Sequence, residues 1–170
     1  GCSVNTLYAL FGDKDGVFGA VVADGMQKVA VKLAADSSQS PLERAEALVK
    51  LSAERIRNEA AFSKPMYRTL SASGPASQIG RQHAAQILRG ILSDAISDDI
   101  LRPDVDADLL TENILQGFMM ASMRWAHDAI DLKALEAEAM HALYVGLAAG
   151  TTTSAAPQIY AGLASAQSAL

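Results

Sequence analysis

Glu138 and His141 stand three residues apart, the Glu-x-x-His spacing by which carboxylate-bridged di-iron bundles put two ligands on one helix face. Such a centre needs a second copy of the motif and two further inward glutamates. Neither is found, so the pair reads as a chance match on a solvated or interface face. His83, His127 and His141 lie in separate segments and make no metal-binding spacing. The single cysteine, Cys2, rules out an internal disulfide and a cysteine-based zinc site, and nothing beside it would activate its thiol. No Gly-rich phosphate loop or Ser/His/Asp signature appears. These residues point away from catalysis. No enzyme activity, cofactor or metal is expected, and a metal-dependent helical-bundle enzyme stands only as a rival reading.

Binding chemistry is better represented. Phe62, Met66, Tyr67 and Leu70 fall together, Leu88, Ile91 and Leu92 follow, and Phe118, Met119, Met120, Met123 and Trp125 crowd a later segment. Methionines interleaved with aromatics make an adaptable apolar lining, suited to a pocket tolerant of ligand shape. The same residue types also build ordinary core. Consecutive residues cannot share one helix face, so not all of these point inward together. His83, Arg68, Arg124 and His127 are the candidate polar anchors for a ligand carboxylate or hydroxyl.

The elements that must position these side chains are helices. Half of the residues are hydrophobic but only 5% are aromatic, and alanine and leucine supply the bulk, which favours packed helices over sheet. Leu7 and Phe11 share a face of a first short helix, which Gly12 ends, and Asp13 caps the next. Val21, Val22, Met26, Val29, Ala30 and Leu33 continue as a helical stripe, broken at Ser37-Ser38-Gln39. Ser40-Pro41-Leu42-Glu43 is a capping box with proline at the first helical position. A shorter helix is predicted over Lys64–Ala72 and a long one after Ser73-Gly74-Pro75. Two more follow, about Asp104–Ala129 and Asp131–Ala149, then a linker at Thr151–Pro157 and a short helix or tail over Ile159–Leu170. No strand pattern and no internal repeat is present. The fold class is all-α.

The opening stretch GCSVNTLYALFGDKDGVFGAVV carries a tighter constellation: Thr6-Leu7-Tyr8, Phe11, the Asp13-Lys14-Asp15 entry and Phe18. It resembles the second half of the helix-turn-helix of TetR-family (tetracycline-repressor-type) transcriptional regulators, where a recognition helix leads into the helix joining head to body. The number and order of the later helices, about seven after the turn, are similar to the body of that family, as is Ile100-Leu101-Arg102-Pro103-Asp104 entering an apolar helix.

The resemblance implies a partial DNA-binding head with connector over residues 1–36, a ligand-binding and dimerisation body over 37–150, and a C-terminal tail or short helix over 151–170. Its first two head helices would precede Gly1. Ser3, Val4, Asn5 and Thr6 would lie closest to base edges, with Asn5 able to pair with adenine; Tyr8 and Lys14 would contact phosphate. Ala9 and Leu10 depart from the polar, basic or aromatic residues frequent there.

A recognition helix of ~8 residues is marginal without packing partners, so the 170-residue chain is expected to bind operator DNA weakly or not at all. The complete protein would bind a palindrome as a homodimer, its recognition helices about 34–36 Å apart. The resemblance also implies a small, largely apolar effector held by Phe62, Met66, Tyr67, Leu70, His83, Leu88, Ile91, Phe118, Met119, Met123 and Trp125. Dimerisation would run through the last two long helices, with Gly117, Ala121, Met140, Tyr144, Leu147 and Ala148 at the interface.

Charge qualifies this picture. The net charge is −5, and residues 94–138 carry eleven Asp/Glu against three Lys/Arg, whereas residues 37–93 carry eight Lys/Arg against four Glu. Residues 1–36 carry three Lys against four Asp, so the head segment supplies no cationic excess for phosphate. A helical ligand-binding and dimerisation module that never binds DNA is therefore the alternative. No apolar run approaches the ~20 residues of a membrane span. No membrane partner is expected, and a cytoplasmic setting suits the lone cysteine.

Overall fold

The computed structural model describes Ala9 and residues 12–36, 38–69 and 75–170. Among them run seven helices: α1 (Lys14–Ala34), α2 (Pro41–Asn58), α3 (Ala60–Thr69), α4 (Pro75–Ser97), α5 (Ala107–Ala126), α6 (Leu132–Gly150) and α7 (Ala156–Ser168). The class is all-α. The described residues contain no named strand, only an isolated antiparallel bridge between Leu101 and Thr151.

Local chemistry sets the helix starts. Asp13 accepts from the Gly16 amide at 2.8 Å, Asp106 from Leu109 at 2.9 Å and Asp131 from Ala134 at 2.8 Å. Ser40 and Glu43 form the reciprocal capping box ahead of α2, the Ser40 amide donating to Glu43 at 2.8 Å. Each cap satisfies amides that the first helical turn leaves without carbonyl partners, worth about 0.5–2 kcal/mol.

α3 departs from expectation. It begins at Ala60, four residues before the expected start at Lys64, and runs through Pro65 in its interior. Glu59 explains this. Its amide closes α2 on the Arg55 carbonyl, while its own carbonyl accepts from Phe62 and Ser63, so one helix hands over to the next. Burial of Ser63 and Met66 on either side of the proline then holds the segment in place. Leu70 and the expected end at Ala72 lie outside the described residues.

α1 packs along α4, α5 and α6 form an antiparallel hairpin, and α2 rests on both α4 and α6. The expected tail is a docked helix: α7 lies on α6, with Ile159 fully buried, Ala166 nearly so and Gly162 directly over the Tyr144 ring. The base of the α5–α6 hairpin is closed by the Arg102 amide donating to the Gly150 carbonyl at 2.8 Å, and Thr152 to Ile100 at 3.0 Å.

Two apolar clusters result. The larger joins Met26 and Leu33, Leu48, Leu88 and Leu92, Leu143 and Ile159. The smaller joins Ala53, Ile56, Met66, Tyr67, Ala121, Trp125 and Leu135. Full burial of one such large apolar side chain contributes about 1.5–3 kcal/mol. Tertiary packing rather than helix propensity therefore holds the bundle together.

Candidate functional site

Where the two clusters meet, the packing leaves an apolar cavity of about 90 Å³. Six helices form its wall: Val22 and Met26 from α1, Leu48, Ser52 and Arg55 from α2, Met66 and Tyr67 from α3, Gly80, Arg81, Ala84 and Leu88 from α4, Ile114, Phe118 and Met119 from α5, and Ala139 and Leu143 from α6. Only α7 takes no part. The volume is below the roughly 300–1,000 Å³ typical of small-molecule sites. Met26, Met66 and Met119 are unbranched and re-pack readily, so the space can grow around an occupant.

Three polar side chains besides the Tyr67 phenol interrupt the apolar wall. Ser52 is buried on α2. Arg81, about a third exposed, pairs with Glu112 at the rim. Arg55 is the unusual one: its side chain is 10% exposed, and its contact with Glu59 one turn on spans 3.5 Å. Its Nε donates to nothing. A guanidinium offers five N–H donors, and leaving them unmet in an apolar setting is costly.

Arg55 reaches this position because α1 makes room. A Cβ on Gly25 would stand 2.8 Å from both the Cδ and the Nη1 of Arg55. Beside it, burial raises the Tyr67 phenol above its ordinary value, against the opposing influences of the Arg55 charge and the Ser122 hydroxyl. Tyr67 is thus a neutral hydrogen-bonding group at neutral pH.

α1 is seated by close contact elsewhere too. A Cβ on Gly80 would fall 2.4 Å from Val22 Cγ1. Phe18 meets Phe62 edge to face, the ring centroids 5.5 Å apart and the planes at 77°. The same helix face therefore lines the cavity and grips α3 and α4.

Of the residues expected in the pocket, the structure brings together Met66, Tyr67, Leu88, Phe118 and Met119. It places others outside the wall. Ile91 is buried in the larger cluster and Trp125 in the smaller one, the latter under the Lys64 ammonium at 5.6 Å. Phe62 packs on Phe18, Met123 is half-buried away from the cavity, and His83 is exposed. The reason is axial position: Met123 and Trp125 follow Met119 and Phe118 by four and seven residues on the same face of α5, one to two turns farther along, past the end of the cavity.

The expected polar anchors are also elsewhere. Arg68 donates to the Ala126 carbonyl and to Asp128, both at 2.5 Å, and Lys64 joins it on Asp128. Arg124 pairs with Glu138, and His127 is exposed at the end of α5. Arg55 and Arg81 take their place. Arg55 was legible in principle: it follows Leu48 by seven residues and Ser52 by three, which puts a cation on the buried stripe of α2.

The expected dimer residues are committed within the chain. Ala121, Tyr144 and Leu147 are buried in its core. Tyr144 donates to Glu46, and burial together with that bond raises its phenol. Met140 and Ala148 pack against the larger cluster, and Gly117 meets Ala142 across the hairpin. Leu109, Met120 and Val145 instead present large apolar side chains to the outside of α5 and α6, each about half exposed or more.

Ser3, Val4, Asn5, Thr6 and Tyr8 lie outside the described residues. Lys14 opens α1, and its side chain is likewise outside them. Glu138 is engaged with Arg124, and the described residues hold no group of three His, Cys, Asp or Glu placed to bind a metal. Among the described residues no helix is long and apolar enough to cross a membrane. No protein-family model, no curated protein sequence and no solved structure matches the chain.

Proposed function

We propose that this chain is the body of a TetR-like transcriptional regulator that binds palindromic operator DNA as a homodimer and is released from it by a small, largely apolar effector. One observation carries the reading. Val22 and Met26, on the helix that follows the proposed DNA-binding head, are part of the wall of an internal apolar cavity. A ligand that prefers one arrangement of α1 shifts the population toward it by its differential affinity. Because α1 also packs on α4 at Gly80 and on α3 at Phe62, filling the cavity is transmitted to the spacing of the two heads. The homodimer is assigned to the outer face of α5 and α6, where Leu109, Met120 and Val145 are exposed.

The test uses the chain together with whatever its gene encodes upstream of Gly1. Operator fragments are selected from random duplex DNA, then released by compounds that raise the melting temperature of this chain. Recovery of a palindrome supports the reading. Failure to select any sequence, in a protein that still dimerises and binds ligand, would favour the second reading, a ligand-binding module without DNA contact. The absence of cationic excess in residues 1–36 is what favours that alternative.

A further inference from the structure

Resting on the reading of the cavity as a ligand site, we infer that its ligand is a small amphiphilic monocarboxylate, whose head group takes the Arg55 guanidinium and whose tail lies among Met26, Met66, Leu88 and Phe118. The cavity and the unmet donor are independent observations that meet at one place. The wall is apolar over most of its extent, which selects a hydrocarbon tail. At one point it holds a cation whose side chain is nine-tenths buried, whose Nε has no acceptor, and whose single carboxylate neighbour stands at the limit of contact, 3.5 Å away. A charge in that setting is stable only when paired and hydrogen-bonded. Glu59, 40% exposed, faces water and does not complete the pairing.

A carboxylate matches what is missing, since its two oxygens accept from neighbouring guanidinium N–H groups as a fork. A neutral alcohol of the same length would satisfy one donor and leave the charge unbalanced. A phosphate or a dianion would bring a surplus negative charge that the site has no second buried free cation to meet, because Arg81 is already paired with Glu112.

The test is calorimetric titration of the 170-residue chain with butanoate, hexanoate and octanoate, each against the alcohol of equal length. Two variants accompany it. Arg55→Met keeps the apolar stem and removes the charge; since it removes a poorly compensated buried ion, it should fold with undiminished melting temperature. Ala84→Leu fills the cavity from α4 and leaves the Arg55 charge in place.

Affinity for the acids should rise about fourfold per added methylene until the tail fills the space. Each acid should bind at least tenfold more tightly than its alcohol. Arg55→Met should erase that preference while leaving alcohol binding intact, and Ala84→Leu should weaken both. If acid and alcohol bind alike, or Arg55→Met leaves the acids unaffected, the carboxylate assignment is overturned and the cavity reading survives. If no acid or alcohol binds, or Ala84→Leu has no effect on either, the cavity reading falls as well.

Discussion

Replacing Gly80 by alanine is the sharpest test of how α1 is seated, because two effects of known size oppose each other. In a helix interior, alanine is more favourable than glycine by about 0.8–1.0 kcal/mol. If Gly80 faced open space, Gly80→Ala would therefore stabilise the protein. In the structure the new Cβ would stand 2.4 Å from Val22 Cγ1, well inside van der Waals contact. Val22 is β-branched and stiff about χ1 in a helix, so it cannot swing aside cheaply. Overpacking of this kind costs about 1–3 kcal/mol.

The net expectation for Gly80→Ala is a loss of up to about 2 kcal/mol. For a chain of this length each kilocalorie lowers the melting temperature by about 2–4 °C. Urea denaturation of the wild type, Gly80→Ala, Val22→Ala and the double variant gives the coupling directly. Val22→Ala removes the obstructing methyls, so the pair should be non-additive by at least about 1 kcal/mol, in the sense of relief. A more stable Gly80→Ala, with additive behaviour alongside Val22→Ala, would refute the close seating of α1 on α4 and the transmission built on it.

Three further outcomes follow from the same packing. Asp128 is held below the usual carboxylate range, first by the Lys64 hydrogen bond and then by the Lys64 and Arg68 charges; its contribution is complete above about pH 4 and is lost as pH falls through its lowered folded value, so Asp128→Asn should flatten the acid limb of a stability–pH profile measured by urea melts. Ile159→Ala, at a fully buried position on α7, should cost about 2–5 kcal/mol in chemical denaturation; a loss under 1 kcal/mol would mean that α7 is not part of the cooperative fold. Met120→Glu with Val145→Glu puts charge on the exposed apolar face of the α5–α6 hairpin, and sedimentation should then give a monomer of 17.8 kDa, against the dimer proposed for the wild type, with the circular dichroism unchanged.

Helix starts were the most legible part of the sequence, because capping is local chemistry. Asp13, Ser40 with Glu43, and Asp131 each act within three or four residues of themselves. The start of α3 was not legible, since it depends on the Glu59 carbonyl and on burial around Pro65, which no local rule for proline anticipates. In the cavity, Met66, Tyr67, Leu88, Phe118 and Met119 were readable as apolar and adaptable. Their neighbours Met123 and Trp125 look the same in sequence and share that helix face, and only their place farther along the axis puts them beyond the cavity. The spacing of Arg55 from Leu48 and Ser52 puts it on the buried stripe of α2, but the room that Gly25 makes for its guanidinium comes from another helix and is not local in sequence. Tyr144 and Leu147 read as outward-facing in the sequence because α6 has apolar residues on several sides; the face they occupy is covered by α7 and α2.

The α5–α6 hairpin is pinned at both extremities. At its base, Leu101 and Thr151 are bridged, and at its tip Asp128 is clasped by Lys64 and Arg68 from α3. A paddle anchored at each end moves as one piece or not at all. When something enters the space beneath it, the wall without such an anchor to the hairpin is α1, seated on α4 through Gly80 and against the Arg55 side chain of α2 through Gly25, whereas α4 is tied to α5 by Arg81–Glu112 and Arg89–Asp108. Swelling of the interior is thus directed outward on the α1 side of the molecule.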